Sequence, residues 1–213
     1  MNILDSEKRS QAARGDAEDL LIEAAEKLFA QHGYDGVSVK DIAEGARVNV
    51  SLINYYFDGK EGLYRACLQR FGKQRLTFSE RILIEPVSLE DVRARLSLFI
   101  DEVLESYIQD PYAMRIVHRE CENRSVLSHD IFRDTFVKVF ENLKSFLQLA
   151  QQKQFLRADL NIHVVGMIFF GMLIHFTRTD DINKEYLGHS ITDPAFRKEA
   201  SKTLLDIFLN GTV

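Results

Sequence analysis

The stretch from Ser38 to Tyr64, SVKDIAEGARVNVSLINYYFDGKEGLY, leaves this chain few ways to fold. Ser38 and Asp41 stand at the spacing of a reciprocal N-terminal cap. Val39, Ile42 and Ala43 behind them share one face, which predicts a short helix to about Ala46. Asn49 suits the cap of a second short helix to about Tyr55, with Ile53 turned inward. Asp58, with Glu61 three residues on, opens another that runs beyond Thr77. The links are so short that these helices must pack on one another. Two short helices joined by a tight turn, with a longer one directly after, lay one helix in a DNA major groove and hold the backbone on either side of it.

Helix signals continue along the whole chain, whereas alternating segments of strand type do not. Upstream, Asp16 caps a helix with Glu18 and Asp19 in its first turn. Leu21, Ala24, Ala25, Leu28 and Phe29 line one face, and Gly33 closes it. Downstream, Ser88 with Asp91 opens a fifth helix lined by Val92, Leu96, Phe99, Ile100, Val103 and Tyr107, and Asp110-Pro111 opens a sixth to about Cys121. Ser128 begins a seventh, with Phe132, Phe136, Val139, Phe140, Leu143 and Leu147 on one stripe. Asp159 or Asn161 starts an eighth, apolar nearly all round from Val164 to Phe176 and therefore expected to be buried on most faces. Asp193-Pro194 starts a ninth carrying Phe196, Ala200, Thr203, Leu204, Ile207 and Phe208. The expectation is an all-α protein.

At 213 residues and 46% hydrophobic content the chain has material for a full core, and its three prolines leave no proline-rich linker. Cys67 and Cys121 lie far apart with no CxxC or histidine companion, so both read as ordinary thiols and no metal or cofactor is expected. The N-terminus lacks the apolar core of a secretory signal, and the run from Val164 to Ile174 falls short of the roughly 20 residues a membrane span needs. A cytoplasmic protein without a membrane partner is expected. Net charge is −5, and residues 1–75 hold 11 Lys+Arg against 12 Asp+Glu. Any affinity for DNA must therefore come from where charges sit, because total charge does not supply it.

The residues Ile42-Ala43, Ala46, Val48, Ile53, Phe57, Lys60-Glu61 and Leu63, preceded by the LxxAAxxLFAxxGYxG pattern of Leu21 to Gly36, resemble the DNA-binding domain of TetR-like transcriptional regulators. Beyond these residues the resemblance is one of length and helical organisation. It implies a flexible N-terminal arm over 1–15, a three-helix DNA-binding domain with helix-turn-helix over 16–62, and a helical effector-binding and dimerisation domain over 63–213. It also implies a ligand-responsive repressor whose homodimer binds a pseudo-palindromic operator and is released by a small, largely apolar effector. Two positions depart from the family pattern. Arg47 stands where glycine is usual in the turn, and Asn54 replaces a common tyrosine. Positive φ at a non-glycine residue costs about 1 kcal/mol or more. Either Arg47 accepts that strain and offers its guanidinium to a phosphate, or the turn has another geometry and Arg47 faces solvent.

With Val48, Ile53 and Phe57 inward, Val50, Ser51, Leu52, Asn54 and Tyr55 remain outward. Ser51 and Asn54 suit base edges, Asn54 having the shape for a bidentate contact to adenine, while Val50 or Leu52 suits a thymine methyl. Ser38, Lys40, Tyr55 and Lys60 suit phosphates. The bland readings stand beside these: Lys40 as a solvated helix residue and Tyr56 as packing. Lys8, Arg9 and Arg14 in the arm either reach a minor groove or belong to a disordered tail.

For the dimer, the eighth and ninth helices supply Gly166, Phe169, Gly171, Leu173, Phe196, Leu204, Ile207 and Phe208, which alternatively fill a monomeric core. An effector site is expected among Met114, His118, Cys121, Phe136, Phe140, Met167, Phe170, His175 and Phe176, each of which singly is also an ordinary core residue. An enzyme is not expected. His118-Arg119-Glu120 offers a His-x-Glu pair with no Pro-Cys-x-x-Cys partner, and no HExxH, GxSxG or P-loop occurs. The remaining alternative is a helical protein-interaction module that keeps the fold without operator-specific binding.

Overall fold

The computed structural model describes residues 3–123 and 125–213, with side chains from Ala17 onward. Nine helices and no strand occur among the described residues. They are α1 (Ile3–His32), α2 (Val39–Ala46), α3 (Ser51–Phe57), α4 (Lys60–Ile82), α5 (Leu89–Gln109) and α6 (Pro111–Asn123), followed by three more. Helix α7 joins His129–Phe132, a π-helical turn Arg133–Val137 and Lys138–Gln152. Helix α8 (Ile162–Ile182) continues into a second π-helical turn, Asn183–Leu187, and α9 spans Pro194–Thr212.

Most expected caps are present. Ser38 Oγ accepts from Asp41 N at 3.2 Å while Asp41 Oδ2 accepts from Ser38 N at 2.9 Å, which closes the capping box of α2. Ser88 Oγ accepts from Asp91 N, and Asp193 Oδ1 from Ala195 N behind Pro194. Of the two candidates for α8, Asn161 makes the cap, accepting from His163 N and Val164 N, while Asp159 pairs with Arg157 at 2.7 Å.

Three local expectations are corrected. Helix α1 is already helical at Ile3, so Asp16 lies inside it and the arm is helix from residue 3; the side chains of Lys8, Arg9 and Arg14 lie outside the described residues. Asp58 closes α3 and does not open α4: it sits at φ 57° with its N–H on Asn54 O, and the first bond of α4 runs from Leu63 N to Gly59 O. Helix α8 is not buried on most faces. Ile162, Val165, Phe169 and Leu173 face the core, whereas Val164, Met167 and Ile168 are 48–57% exposed.

Contacts divide the chain into two compact units. The first takes the residues up to Gly72 together with Tyr112–Ile131, and the second takes Lys73–Pro111 and Phe132–Val213. This division differs from the expected boundary at 62/63, because α6 belongs with the N-terminal helices. The core of the second unit is built from α5, α7, α8 and α9, with Leu96, Phe99, Phe146, Leu147, Phe169 and Phe208 at its centre. The Phe169 and Phe208 rings meet edge to face at 4.6 Å between centroids. By length and hydropathy α8 is apolar enough to cross a membrane. Its inner face instead packs into this core, where buried Asp180 accepts from Ser190 Oγ at 2.8 Å and Ile191 N at 2.7 Å.

Candidate nucleic-acid interface

Helix α3 is seven residues long, too short to be stable on its own propensity, and tertiary anchors hold it in place. Ile53 is fully buried and Phe57 nearly so. Asn49 Oδ1 accepts from Ser51 N at 2.9 Å and satisfies an orphan donor of the first turn, although the cap position itself falls on Val50, one residue later than expected. At the far end Gly62 permits the start of α4 to close on the end of α3: a Cβ there would lie 1.6 Å from Phe57 O. With Ile53 and Phe57 turned inward, Val50, Ser51, Asn54 and Tyr55 are exposed on the other side, Tyr55 at 67% of its surface, and Leu52 is half-buried.

The flanking groups are placed as follows. Lys40 and Arg47 are exposed. Ser38 is exposed as well, but its hydroxyl is engaged in the cap, donating to Asp41 Oδ2 at 2.6 Å. That bond and the Ser38 backbone N–H hold the Asp41 carboxyl below its usual range. Lys60 is half-buried, its ammonium 4.3 Å from the centroid of the Tyr34 ring. Tyr34 packs against Phe29 and Tyr64, and burial together with Glu61 and Asp35 raises its phenol pKa. Tyr56 is half-buried against Tyr55 and Phe57. The turn before α3 carries Arg47 at φ 57°, ψ 39°. Arg47 N donates to Glu44 O at 3.1 Å and Val48 N to Ala43 O at 3.0 Å, the paired bonds of a Schellman motif with arginine where glycine is usual.

Within the first unit, the segment 112–131 is fastened to α1 and α4 by groups whose partners the sequence does not disclose. Arg119 donates to the carbonyls of Phe29 (2.8 Å) and Ala30 (3.1 Å), capping the last turn of α1. Tyr64 Oη donates to buried Glu120 Oε1 at 2.7 Å, and Ser128 Oγ donates to the other carboxylate oxygen. Burial and this carboxylate drive the Tyr64 phenol well above its ordinary pKa. Arg65 holds Asp130 with two bonds, at 2.6 and 2.9 Å, and also reaches Leu127 O. Arg119 and Glu120 stand in the sequence beside His118, and nothing in their spacing names their partners, 90 and 56 residues away respectively.

The expected effector residues do not converge on one site. Met114 is buried in α6, His118 half-buried and Cys121 exposed. In the second unit Phe140 meets Phe170 edge to face at 6.1 Å, and Phe136 and Phe176 are half-buried. Met167 and His175 point outward from α8. The expected dimer residues also divide. Gly166, Phe169, Leu173, Leu204 and Phe208 are buried in their own unit, because they lie on the faces of α8 and α9 that meet the core. Gly171 and Ile207 are exposed and Phe196 half-buried. An apolar groove of about 320 Å³, lined by Phe176, Phe196, Thr203, Leu204 and Ile207, lies on this outer side. Val164, Met167 and Ile168 of α8 are exposed as well and are missing from the expected set, since a helix apolar all round does not declare which face a second element covers. Among the described residues no cluster suited to a metal ion occurs.

Comparison with known proteins follows this geometry. Residues 21–67 match the model of the bacterial regulatory proteins of the tetR family. The chain is 31% identical over 120 residues to the probable HTH-type transcriptional regulator YttP of Bacillus subtilis (strain 168), and the match spans 56% of this chain and 58% of that one. It is 26% identical over 167 residues to the probable acrEF/envCD operon repressor of Escherichia coli (strain K12), covering 77% and 76% of the two chains. Its fold superposes on the transcriptional regulator FadR from Bacillus subtilis in complex with stearoyl-CoA, with a TM-score of 0.73, 18% identity, and 90% and 97% of the two chains covered.

Proposed function

We propose, from the premise that this chain belongs to the tetR family of bacterial regulatory proteins, that it is a cytoplasmic transcriptional repressor whose homodimer reads a pseudo-palindromic operator. One observation carries the reading: Ile53 and Phe57 anchor α3 so that Val50, Ser51, Asn54 and Tyr55 stand on its free side. Ser51 and Asn54 read base edges there, Val50 packs on a thymine methyl, and Tyr55, Lys40 and Lys60 hold phosphates. Ser38 contributes its cap and, through it, the position of α2. The test is selection by the purified protein from a pool of random-sequence duplexes. Enrichment of a palindrome with half-sites about one helical turn, or a multiple of it, apart is the expected result. Failure to enrich any sequence supports the rival reading, a helical interaction module that has kept the fold.

The dimer in this reading forms through the outer side of α8 and α9. Val164, Met167 and Ile168, at helical spacing on α8, are 48–57% exposed, and Ile207 on α9 is 62% exposed beside an apolar groove. Sedimentation showing only monomer at micromolar concentration removes it. Release by an effector needs a differential affinity of only ~1.4–2.8 kcal/mol for ten- to hundredfold relief. The clasp of Arg119, Glu120 and Arg65 supplies the transmission, since a shift of α6 acts directly on the end of α1 and the start of α4. Stearoyl-CoA, the compound bound to FadR, is the first effector to test. Unchanged operator affinity at saturating stearoyl-CoA excludes that compound.

A further inference from the structure

We infer that Arg47 is kept in a strained backbone conformation because its guanidinium binds a DNA phosphate beside α3, an assignment that rests on the DNA-reading function proposed above. Two independent observations meet at this residue. The first is conformational. Arg47 occupies the left-handed region at φ 57°, and its N–H and that of Val48 close the end of α2, so the turn cannot relax without giving up both bonds. Glycine adopts this conformation without the Cβ penalty, and asparagine tolerates it better than arginine does. Such conformations persist where the surrounding structure over-determines them and cluster at functional sites; Asp58 and Gln154 share this one, and Arg47 differs from them in being a cation beside α3.

The second observation is chemical. Among the described residues Arg47 is the one arginine without an ion pair, hydrogen bond, ring contact or other electrostatic partner. Its exposed guanidinium is therefore unspent, and it stands four residues before Ser51, the first residue of the reading helix. Five N–H donors in a planar fork, held on a turn whose two backbone bonds fix its direction, match the oxygens of a phosphate.

The experiment compares the wild-type protein with R47G and R47K on a duplex selected by the wild type from a random pool. R47G is expected to raise Tm by about 2–4 °C, since it relieves the strain. It should bind the selected duplex about tenfold more weakly or worse. The slope of log affinity against log salt should flatten by about 0.9 for each protomer on the duplex. R47K keeps the charge and the strain, and its Tm and salt slope should stay close to wild type. Wild-type affinity and salt slope in R47G overturn the phosphate contact, whatever happens to Tm; a Tm that does not rise overturns the strain. Wild-type protein that selects no duplex at all brings down the DNA-reading function itself, a result separate from either of these.

Discussion

Both units have an apolar core, but in the first a set of directional polar bonds also fastens the segment 112–131 to α1 and α4, whereas in the second the most apolar helix, α8, carries similar residues on its core face and on its solvent face. Around α1, α2 and α4 the caps, the Arg119 clip on Phe29 and Ala30, and the Tyr64–Glu120–Ser128 chain each fix a direction and a distance. In the second unit Phe99, Phe169, Phe208 and their aliphatic neighbours fill space. A reading helix must be placed to within a fraction of an ångström, and polar bonds do that. A helical body that buries apolar surface tolerates change in its residues as long as volume is kept. The first unit is therefore expected to fail at single points and the second by loss of volume.

Phe169→Ala gives the largest expected effect. It empties a fully enclosed ring site and should cost about 3–5 kcal/mol in denaturant unfolding. Ile168→Glu, one residue away on the outer face, should leave the protomer within about 0.5 kcal/mol of wild type while sedimentation shows monomer. Equal stability losses in the two variants would show that α8 has no free face. Gly62→Ala comes next. Its new Cβ would overlap Phe57 O, so α4 must move off α3, at about 3 kcal/mol or more, and operator binding should vanish. A variant of wild-type stability that still binds operator would mean that the α3–α4 junction has slack.

Tyr64→Phe probes the polar side of the comparison at a smaller scale. The ring keeps its contacts with Phe29 and Tyr34, but Glu120 loses one of its two hydroxyl donors while staying buried. A loss of about 1–3 kcal/mol is expected in thermal unfolding, with faster hydrogen exchange concentrated in 112–131. Exchange that quickens evenly over the whole chain would assign Tyr64 to general packing. Gly171→Ala should have the opposite sign. Nothing lies within 4 Å of its Cβ position, so the protomer should gain about 0.5–1 kcal/mol of helix stability. A weaker dimer in that variant would show that the partner approaches α8 at this glycine.

The contrast also explains which features the sequence disclosed. The capping box at Ser38 and Asp41, the bond from Ser51 N to Asn49 and the inward Ile53 are local, within four residues of their partners, so spacing alone exposes them. Asp58 was read the wrong way round because an acid between two helices suits the end of one as well as the start of the next, and only its φ of 57° decides. Helix α1 starts thirteen residues before the expected cap because two start signals compete in the sequence: Asp16 with Glu18 and Asp19 is the denser one, yet Asn2, directly before Ile3, is also a residue type that suits a cap. Glu120 escaped for a different reason. A glutamate in a mixed-charge segment looks solvated until Tyr64 and Ser128 are brought to it across the fold. For α8 the two apolar faces were visible, but their assignment to core and surface depends on α5, α7 and α9, none of which its own residues specify.

The pair of Arg65 and Asp130 supplies the smallest effect and the most direct readout of the clasp. Two hydrogen bonds from the Arg65 guanidinium hold the Asp130 carboxyl at about 2, against an ordinary 3.8. A depressed folded-state value means that the pair's contribution is complete above the ordinary value and fades as pH falls from there toward about 2. Both side chains are partly exposed, so the effect on global stability is expected to be slight. Carboxyl NMR should therefore show Asp130 titrating at about 2, and in Arg65→Met it should return to the ordinary range. If Asp130 titrates near 3.8 in the wild type, the bidentate bond does not persist in solution. Arg119 and Glu120 would then carry more of the polar fastening of the segment 112–131, and Tyr64→Phe should become correspondingly more damaging.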